Sequence, residues 1–152
     1  MLDLSYTTAS VHETEAVGKN LAEMMNGGAL PPFIALYGDL GVGKTAFVRG
    51  FASVFTPAAL VRSPTFALVN EYRGGALSLF HFDMYRIESE DDLYSIGFDD
   101  YLTRRGICLV EWSENIPFAL PDEYIEVTIE KTGVDTPDER RIIIKERNNA
   151  SC

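Results

Sequence analysis

An α/β fold, in which helices cover a mixed parallel and antiparallel central sheet, is predicted by three features of the sequence. Residues 33–37 and 107–110 are apolar at every position, as expected of central parallel strands that are buried on both faces. A helical pattern follows the first run, which is the order of elements in a parallel α/β unit. Shorter alternating segments predict antiparallel strands elsewhere. With 152 residues, 46% of them hydrophobic, the chain is expected to form one domain that ends in a loose tail at 147–152.

The first half of the chain predicts the order strand, helix, strand, helix. Residues 2–9 are expected to form a short strand, and Ser10 with Glu13 has the S-x-x-E spacing of a capping box at a helix start. That helix is expected to end near residue 25, before a Gly-Gly pair. After the strand at 33–37, a second helix is predicted over about residues 45–55. Its buried face is expected to consist of Phe47, Val48, Phe51, Val54 and Phe55.

Two hairpins and an acid-rich helix are predicted in the second half. Segments 66–72 and 77–83 flank an Arg-Gly-Gly-Ala turn, which favours a tight antiparallel hairpin. Segments 124–130 and 141–146 alternate in a way that suits a terminal hairpin. Between the hairpins, residues 88–101 predict a helix that breaks or ends at its single glycine, with its acids facing solvent.

A phosphate-binding loop (P-loop, residues 38–45) follows the first apolar run. The pattern G-x-x-x-x-G-K-[ST] is matched at every fixed position by Gly38-Asp39-Leu40-Gly41-Val42-Gly43-Lys44-Thr45. The glycines allow backbone N–H groups to converge on phosphate oxygens. Lys44 is expected to reach the β- and γ-phosphates, and Thr45 to offer its hydroxyl to Mg²⁺ at a helix N-terminus. Residues from Asp39 to Ala46 are therefore predicted to bind a nucleoside triphosphate, in a P-loop NTPase-like three-layer fold.

Two acidic residues end apolar strands and are candidates to serve the nucleotide. Asp83 follows Leu-Phe-His-Phe and Glu111 follows Ile-Cys-Leu-Val, and either strand could lie beside the one that leads into the P-loop. A short Asp suits the octahedral shell of Mg²⁺, whereas Glu reaches farther and can activate a water. We assign Asp83 to the metal and Glu111 to the water, with metal ligation by Glu111 left open. Lys44, Asp83 and Glu111 are the predicted catalytic residues, although either acid could instead cap a strand in solvent.

Three further residues have two readings each. Thr65 lies in the segment that follows the helix after the P-loop. Its hydroxyl could contact the γ-phosphate or Mg²⁺, or the residue could belong to a Ser-Pro turn that opens an edge strand. Trp112 could stack on a base or fill the core. His81 is expected to be a packed strand histidine, because two histidines and no paired cysteines argue against a zinc site.

The composition excludes several classes of function. A net charge of -10 repels nucleic acid backbones, so the macromolecular partners are expected to be proteins. Cys108 lies in an apolar run and Cys152 at the chain end, which argues against a disulfide framework and favours a reducing compartment. No stretch reaches the length of a membrane span, and the first residues lack the features of a signal peptide. The chain is therefore expected to be soluble and cytoplasmic.

Five segments occur in a fixed order along the chain: 38–45, Ser63-Pro64-Thr65-Phe66, His81-x-Asp83-x-Tyr85-Arg86, 92–100 and Val110-Glu111-Trp112. In this combination they resemble the bacterial TsaE (YjeE) family. The resemblance extends from about residue 10 to about residue 130. It implies an ATPase, with ATP or ADP and Mg²⁺ as cofactors, that is required for the threonylcarbamoyladenosine (t6A) modification at position 37 of tRNAs that read codons starting with A. The transfer itself would be carried out by other proteins.

The resemblance also implies partners and residue roles. The subunit would associate with the TsaB and TsaD proteins and reset their complex between turnovers, with tRNA contacted only indirectly and no membrane or DNA partner. Lys44 and Thr45 would bind phosphate and metal, and Asp83 would be the Walker-B-like acid. The remaining residues near the nucleotide would be Thr65, in a switch-like loop, and Glu111 and Trp112.

Two other functions are compatible with a P-loop. A kinase of a small metabolite shares the loop and an acid at a strand end, but it usually needs an Arg-bearing lid, and Arg104-Arg105 is the only basic pair after residue 88 before the terminal hairpin. A nucleotide-dependent interaction module would bind ATP without turnover to stabilise a docking surface. A GTPase is disfavoured because no guanine-reading N-K-x-D segment occurs.

Overall fold

The computed structural model describes residues 1–39, 41–65, 67–75 and 77–149. The predictions for Leu40, Phe66 and Ala76, and those for residues 150–152, fall outside these ranges. Within the described residues, no helix is both long and apolar enough to cross a bilayer.

A seven-stranded mixed sheet forms the centre of the described structure. The strands are β1 (Asp3–Thr8), β2 (Phe33–Tyr37), β3 (Val69–Tyr72), β4 (Ser78–Asp83), β5 (Gly106–Glu111), β6 (Glu123–Lys131) and β7 (Arg140–Asn148), in the spatial order β1-β7-β6-β2-β5-β4-β3. β2 lies fourth and is parallel to both β5 and β6, while β4 is parallel to β5. The other pairs, β1–β7, β6–β7 and β3–β4, are antiparallel. The mixed sheet and the central position of the two apolar runs are therefore confirmed.

Helices cover both faces of this sheet. They are α1 (Val11–Met25), α2 (Lys44–Phe55), α3 (Glu90–Ser95) and α4 (Phe98–Thr103), followed by two single 3₁₀ turns at Ser113–Asn115 and Pro117–Ala119. Ile34 and Leu36 of β2 pack with the α1–α2 side, whereas Phe33 and Ala35 pack with the α3–α4 side. Alternate residues of one strand thus enter two cores, which requires β2 to be apolar at every position. This confirms the predicted three-layer arrangement.

The predicted strand at 66–72 is too long at its start. β3 begins at Val69, because Leu68 has a φ of +67°, which is incompatible with an extended strand. The N–H of Leu68 donates to the carbonyl of Pro64 at 2.9 Å, so the chain turns at this point. The carbonyl of Leu68 accepts from the N–H of Asp83 at 3.0 Å, and the antiparallel pairing with β4 follows.

Other elements confirm or extend the predictions. Ser10 caps α1 by accepting from the N–H of Glu13 at 3.2 Å. The acid-rich helix does break at its glycine, since Gly97 has a φ of +73° and separates α3 from α4. The prediction of a loose tail at 147–152 is wrong at its start, because Arg147 and Asn148 pair with β6. Of the α2 residues expected to be buried, Val54 is only half-buried.

The helices α1 and α2 cross at two glycines, where their backbones touch. A Cβ atom on Gly50 would lie 1.8 Å from the carbonyl oxygen of Glu15, and one on Gly18 would lie 2.1 Å from that of Phe47. Both obstacles are backbone atoms, so neither helix can yield without moving as a whole. This contact fixes how α2, which carries the end of the P-loop, lies on the domain.

Gly50→Ala is expected to destabilise the protein by about 1–3 kcal/mol, because the added methyl group forces the two helices apart. The melting temperature, followed by circular dichroism, should fall by several degrees. Gly27→Ala is the matched control, since a Cβ there meets nothing within 4 Å. It should change the stability by less than about 0.5 kcal/mol. Equal melting temperatures for the two variants would contradict the proposed helix contact.

Candidate functional site

The P-loop joins β2 to α2 and places Lys44 at the first position of the helix. Gly41 and Gly43 have φ values of +78° and +108°, which side chains with a Cβ rarely adopt. Lys44 is only 5% exposed, and its Nζ donates to the carbonyl of Gly38 at 2.6 Å. Burial lowers the pKa of Lys44, while nearby carboxylates, foremost that of Glu111, partly oppose the shift. The lysine thus stands desolvated in the loop, held by a backbone oxygen.

The terminal hairpin supports the P-loop from the side of β6. A Cβ on Gly38 would lie 2.5 Å from the carbonyl oxygen of Ile129, so the loop packs directly on that strand. Arg140, the first residue of β7, donates from Nε to the carbonyl of Val42 at 2.9 Å and from Nη1 to the carbonyl of Pro137 at 2.6 Å. No motif marks Arg140, and sequence reasoning missed it because its partner lies 98 positions away in the chain.

Asp83 and Glu111 lie side by side at the carboxyl ends of adjacent strands. They are register partners across β4 and β5, and both are buried, with 6% and 4% exposure. β5 pairs directly with β2, so Glu111 rather than Asp83 lies on the strand next to the P-loop strand. Asp83 accepts from the N–H of Tyr85 through Oδ1 at 2.9 Å. The two acids are therefore not solvent-exposed strand caps.

His81 is buried in β4, as predicted for a packed strand histidine, but it also contacts Glu111. Its Nε2 lies 2.5 Å from Oε2 of Glu111, and its Nδ1 lies 2.9 Å from the hydroxyl oxygen of Tyr72. The three residues come from β5, β4 and β3, which are consecutive in the sheet. Sequence reasoning missed this contact, because only the pairing of three strands brings the side chains together.

Trp112 follows β5 and lies over Lys44. It is half-buried and has a φ of +59°, a conformation that is a genuine outlier for a bulky residue. The Nζ of Lys44 is 4.0 Å from the centre of the indole ring, within the range of a cation–π interaction. Tyr85, to which the sequence analysis gave no role, packs against the ring with centroids 5.0 Å apart. Trp112 therefore lies at the edge of the core instead of filling it.

A cleft of about 460 Å³ brings most of the predicted site residues together. It is lined by Gly41, Gly43, Lys44, Thr45, Ser63, Thr65, Asp83, Tyr85, Glu111 and Trp112. Ser63 is an addition to the predicted set, and its Oγ lies 2.9 Å from Oγ1 of Thr65. Among the described residues of the predicted segment 39–46, three do not line the cleft. Asp39 and Val42 line a separate depression beside β6, and Ala46 is buried in α2.

Few residues of the cleft could hold Mg²⁺. Thr45, Asp83 and Glu111 line it together. In the parts of the chain that the structure describes, no group of three or more His, Cys, Asp or Glu side chains could hold a metal ion. Mg²⁺ at nucleotide sites typically uses one or two carboxylates, several waters and the phosphates of the substrate. The cleft therefore suits a metal that arrives with a nucleotide better than one bound by protein side chains alone.

Comparisons with known proteins agree on one family. The family model described as "Threonylcarbamoyl adenosine biosynthesis protein TsaE" matches residues 8–142. A Bacillus subtilis protein named tRNA threonylcarbamoyladenosine biosynthesis protein TsaE is 39% identical over 142 residues, which cover 93% of this chain and 85% of that protein. A Haemophilus influenzae protein of the same name is 38% identical over 115 residues, covering 74% and 73%. The crystal structure of Bacillus subtilis YdiB matches with a TM-score of 0.77 and 34% identity, covering 97% of this chain and 86% of that one.

Proposed function

This chain belongs to the family of the threonylcarbamoyl adenosine biosynthesis protein TsaE, and from that membership we propose that it is the ATP-binding and ATP-hydrolysing subunit of t6A biosynthesis. The observation that carries the proposal is the cleft that joins the P-loop to Thr65, Asp83, Glu111 and Trp112. A lysine, a hydroxyl and two carboxylates converge there, which is the set of groups that phosphoryl transfer from a nucleotide to water requires.

Lys44 and Thr45 bind the phosphates and the metal in this proposal. The Nζ of Lys44 contacts the carbonyl of Gly38 and the ring of Trp112. A γ-phosphate would offer this ammonium group a far stronger, charged partner. Thr45 and Asp83 would hold Mg²⁺, which neutralises charge on the phosphate oxygens when it is bound. The N–H of Tyr85 holds Asp83 through Oδ1.

Glu111 orients the attacking water and accepts its proton in this proposal. One oxygen of the carboxylate, Oε2, is fixed by His81. Glu111 also lines the cleft that contains Lys44 and Thr45. A carboxylate that is fixed through one oxygen and faces such a cleft can hold a water in a defined direction, as a general base must.

We further propose that the partners are the TsaB and TsaD proteins and that tRNA is contacted only through them. Family membership supports a place in the t6A machinery. The net charge of -10 opposes direct, tight binding to the phosphate backbone of tRNA. ATP turnover by this subunit would then act on the protein complex.

The test measures release of phosphate from ATP by the purified protein, alone and with purified TsaB and TsaD. Turnover that appears or increases with the partners supports the proposal. Transfer of phosphate to a small metabolite would support a kinase, and ATP binding without turnover under every condition would support an interaction module. Either of these two outcomes overturns the proposed ATPase.

Asp83→Asn is expected to lower Mg²⁺-dependent turnover by about 100-fold, because a metal contributes several kcal/mol of charge stabilisation and each 1.4 kcal/mol is tenfold in rate. The amide keeps the oxygen that accepts from Tyr85, so the fold should survive. Turnover is measured over a range of Mg²⁺ concentrations. Asp91→Asn, at an exposed position of α3, is the control and should behave as wild type. Unchanged turnover in Asp83→Asn would refute the metal assignment.

A further inference from the structure

A network of hydrogen bonds leads from the loop of residues 61–65, which precedes β3, through two buried side chains to Glu111. The N–H of Arg62 donates to the hydroxyl oxygen of Tyr72 at 3.2 Å. The same hydroxyl lies 2.9 Å from Nδ1 of His81, whose Nε2 lies 2.5 Å from Oε2 of Glu111. Tyr72, His81 and Glu111 have 6%, 0% and 4% exposure, so water competes little for the two hydrogen bonds among their side chains.

One arrangement of the protons satisfies every group of this hydrogen-bond network while the ring of His81 is neutral. If Nε2–H of His81 donates to the carboxylate of Glu111, the neutral ring has an acceptor at Nδ1, to which the Tyr72 hydroxyl donates. That hydroxyl then accepts from the N–H of Arg62. The carbonyl of Arg62 lies 3.0 Å from the same hydroxyl and is the alternative acceptor of its single proton; when that proton is donated to His81, this carbonyl still accepts from Nδ2 of Asn70 at 3.1 Å. The bonds therefore run from the loop backbone toward the carboxylate without a missing or surplus proton.

We infer that Tyr72 and His81 are positioning residues that link the loop 61–65 to the carboxylate of Glu111. Thr65 and Ser63 of this loop line the same cleft as Glu111, so a nucleotide that contacts the loop would also set the direction of the carboxylate through Arg62. The expected effect of this link on the rate of ATP hydrolysis rests on the proposed function. The link itself is a property of the fold and can be measured without turnover.

Tyr72→Phe keeps the ring in the core and removes only the hydroxyl that links the N–H of Arg62 to Nδ1 of His81. In single-turnover experiments it should slow ATP hydrolysis by roughly 10-fold to 100-fold, because misplacement of a reacting group by about 1 Å can cost about 100-fold. The ATP dissociation constant should change less than about twofold, because neither Tyr72 nor His81 lines the cleft. His81→Asn, which keeps an acceptor for Tyr72 but cannot reach Glu111, should lose rate to the same extent.

A double-mutant cycle separates positioning from a structural effect. In the Glu111→Gln background, Tyr72→Phe should cause no further loss of rate, because Tyr72 acts only through that carboxylate. Tyr124→Phe, a buried tyrosine of β6 outside the chain of bonds, is the control and should leave the rate unchanged. Losses that multiply in the double variant would overturn the inference.

Amide hydrogen exchange at Arg62, measured by NMR on the nucleotide-free protein, tests the link even if the wild type does not hydrolyse ATP. Tyr72→Phe should accelerate exchange because it removes the acceptor of this N–H. Glu111→Ala should accelerate it as well, although Glu111 does not contact Arg62, whereas Tyr124→Phe should not. Unchanged exchange at Arg62 in Glu111→Ala would refute the link, while absent wild-type hydrolysis would refute only the proposed ATPase.

Discussion

Glu111→Gln is expected to slow ATP hydrolysis by about 10²–10⁴-fold, the range that a positioned general base contributes. The substitution keeps the size of the side chain and leaves an oxygen or an amide beside Nε2 of His81, but it removes the carboxylate that we propose as the acceptor of a proton from water. Affinity for ATP should change less than about threefold, since in the proposed function Lys44 and the P-loop backbone would supply the phosphate contacts. Rate and affinity are measured by single-turnover kinetics and by titration calorimetry.

The control for this variant is Glu114→Gln, three positions further on at an exposed site. It removes the same charge near Lys44 without touching the carboxylate that we assign to water, and exposed charges contribute little. Its rate should stay within about threefold of wild type. Equal losses of rate and affinity in Glu111→Gln would instead indicate a structural role for Glu111.

Lys44→Ala is expected to weaken ATP binding by about 10-fold to 100-fold. A charge-assisted hydrogen bond contributes about 1.5–3 kcal/mol, and each 1.4 kcal/mol is tenfold in the dissociation constant. The 5% exposure of Lys44 places the ammonium group where water screens it poorly, which favours the upper part of this range. Calorimetric titration with ATP and Mg²⁺ gives the dissociation constant directly.

The same substitution tests the biological role in cells. When the chromosomal copy carries Lys44→Ala, the fraction of modified adenosine 37 in tRNA should fall, as measured by mass spectrometry of tRNA nucleosides. Lys19→Ala, an exposed lysine of α1, is the matched control and should leave the modification unchanged. Wild-type levels of t6A in the Lys44→Ala strain would rule out a need for nucleotide binding by this chain.

The features predictable from the sequence are those written in contiguous residues. The P-loop is a local pattern of fixed residues, and two short runs that are apolar at every position are typical of strands covered on both faces. These two features were enough to locate β2, β5 and the start of α2. Glu111 could be selected because it ends the second of these runs, and Asp83 because it ends a mostly apolar strand, but the sequence alone could not say which of the two strands would lie next to β2.

The features that were missed arise from pairing between distant segments. The sequence indicates only a packed strand histidine at position 81, and the contact of His81 with Glu111 exists because β4 and β5 pair in one register. Arg140 reaches the P-loop only because β6 lies beside β2 and β7 beside β6. The late start of β3 has a different cause, a turn in which the left-handed conformation falls on Leu68 and not on a glycine or an asparagine. The contacts of His81 and Arg140 depend on strand order, which residue patterns do not encode.

The position of β2 between β5 and β6 also bears on how the protein is made. Both neighbours of the P-loop strand come later in the chain, and Arg140, which holds Val42, comes later still. A ribosome that has released only the first 60 residues has delivered the whole P-loop motif without the strands on which it rests. If ATP binds as proposed, we expect it to stabilise only a nearly finished domain, and nucleotide binding during synthesis would report that the last hairpin has docked.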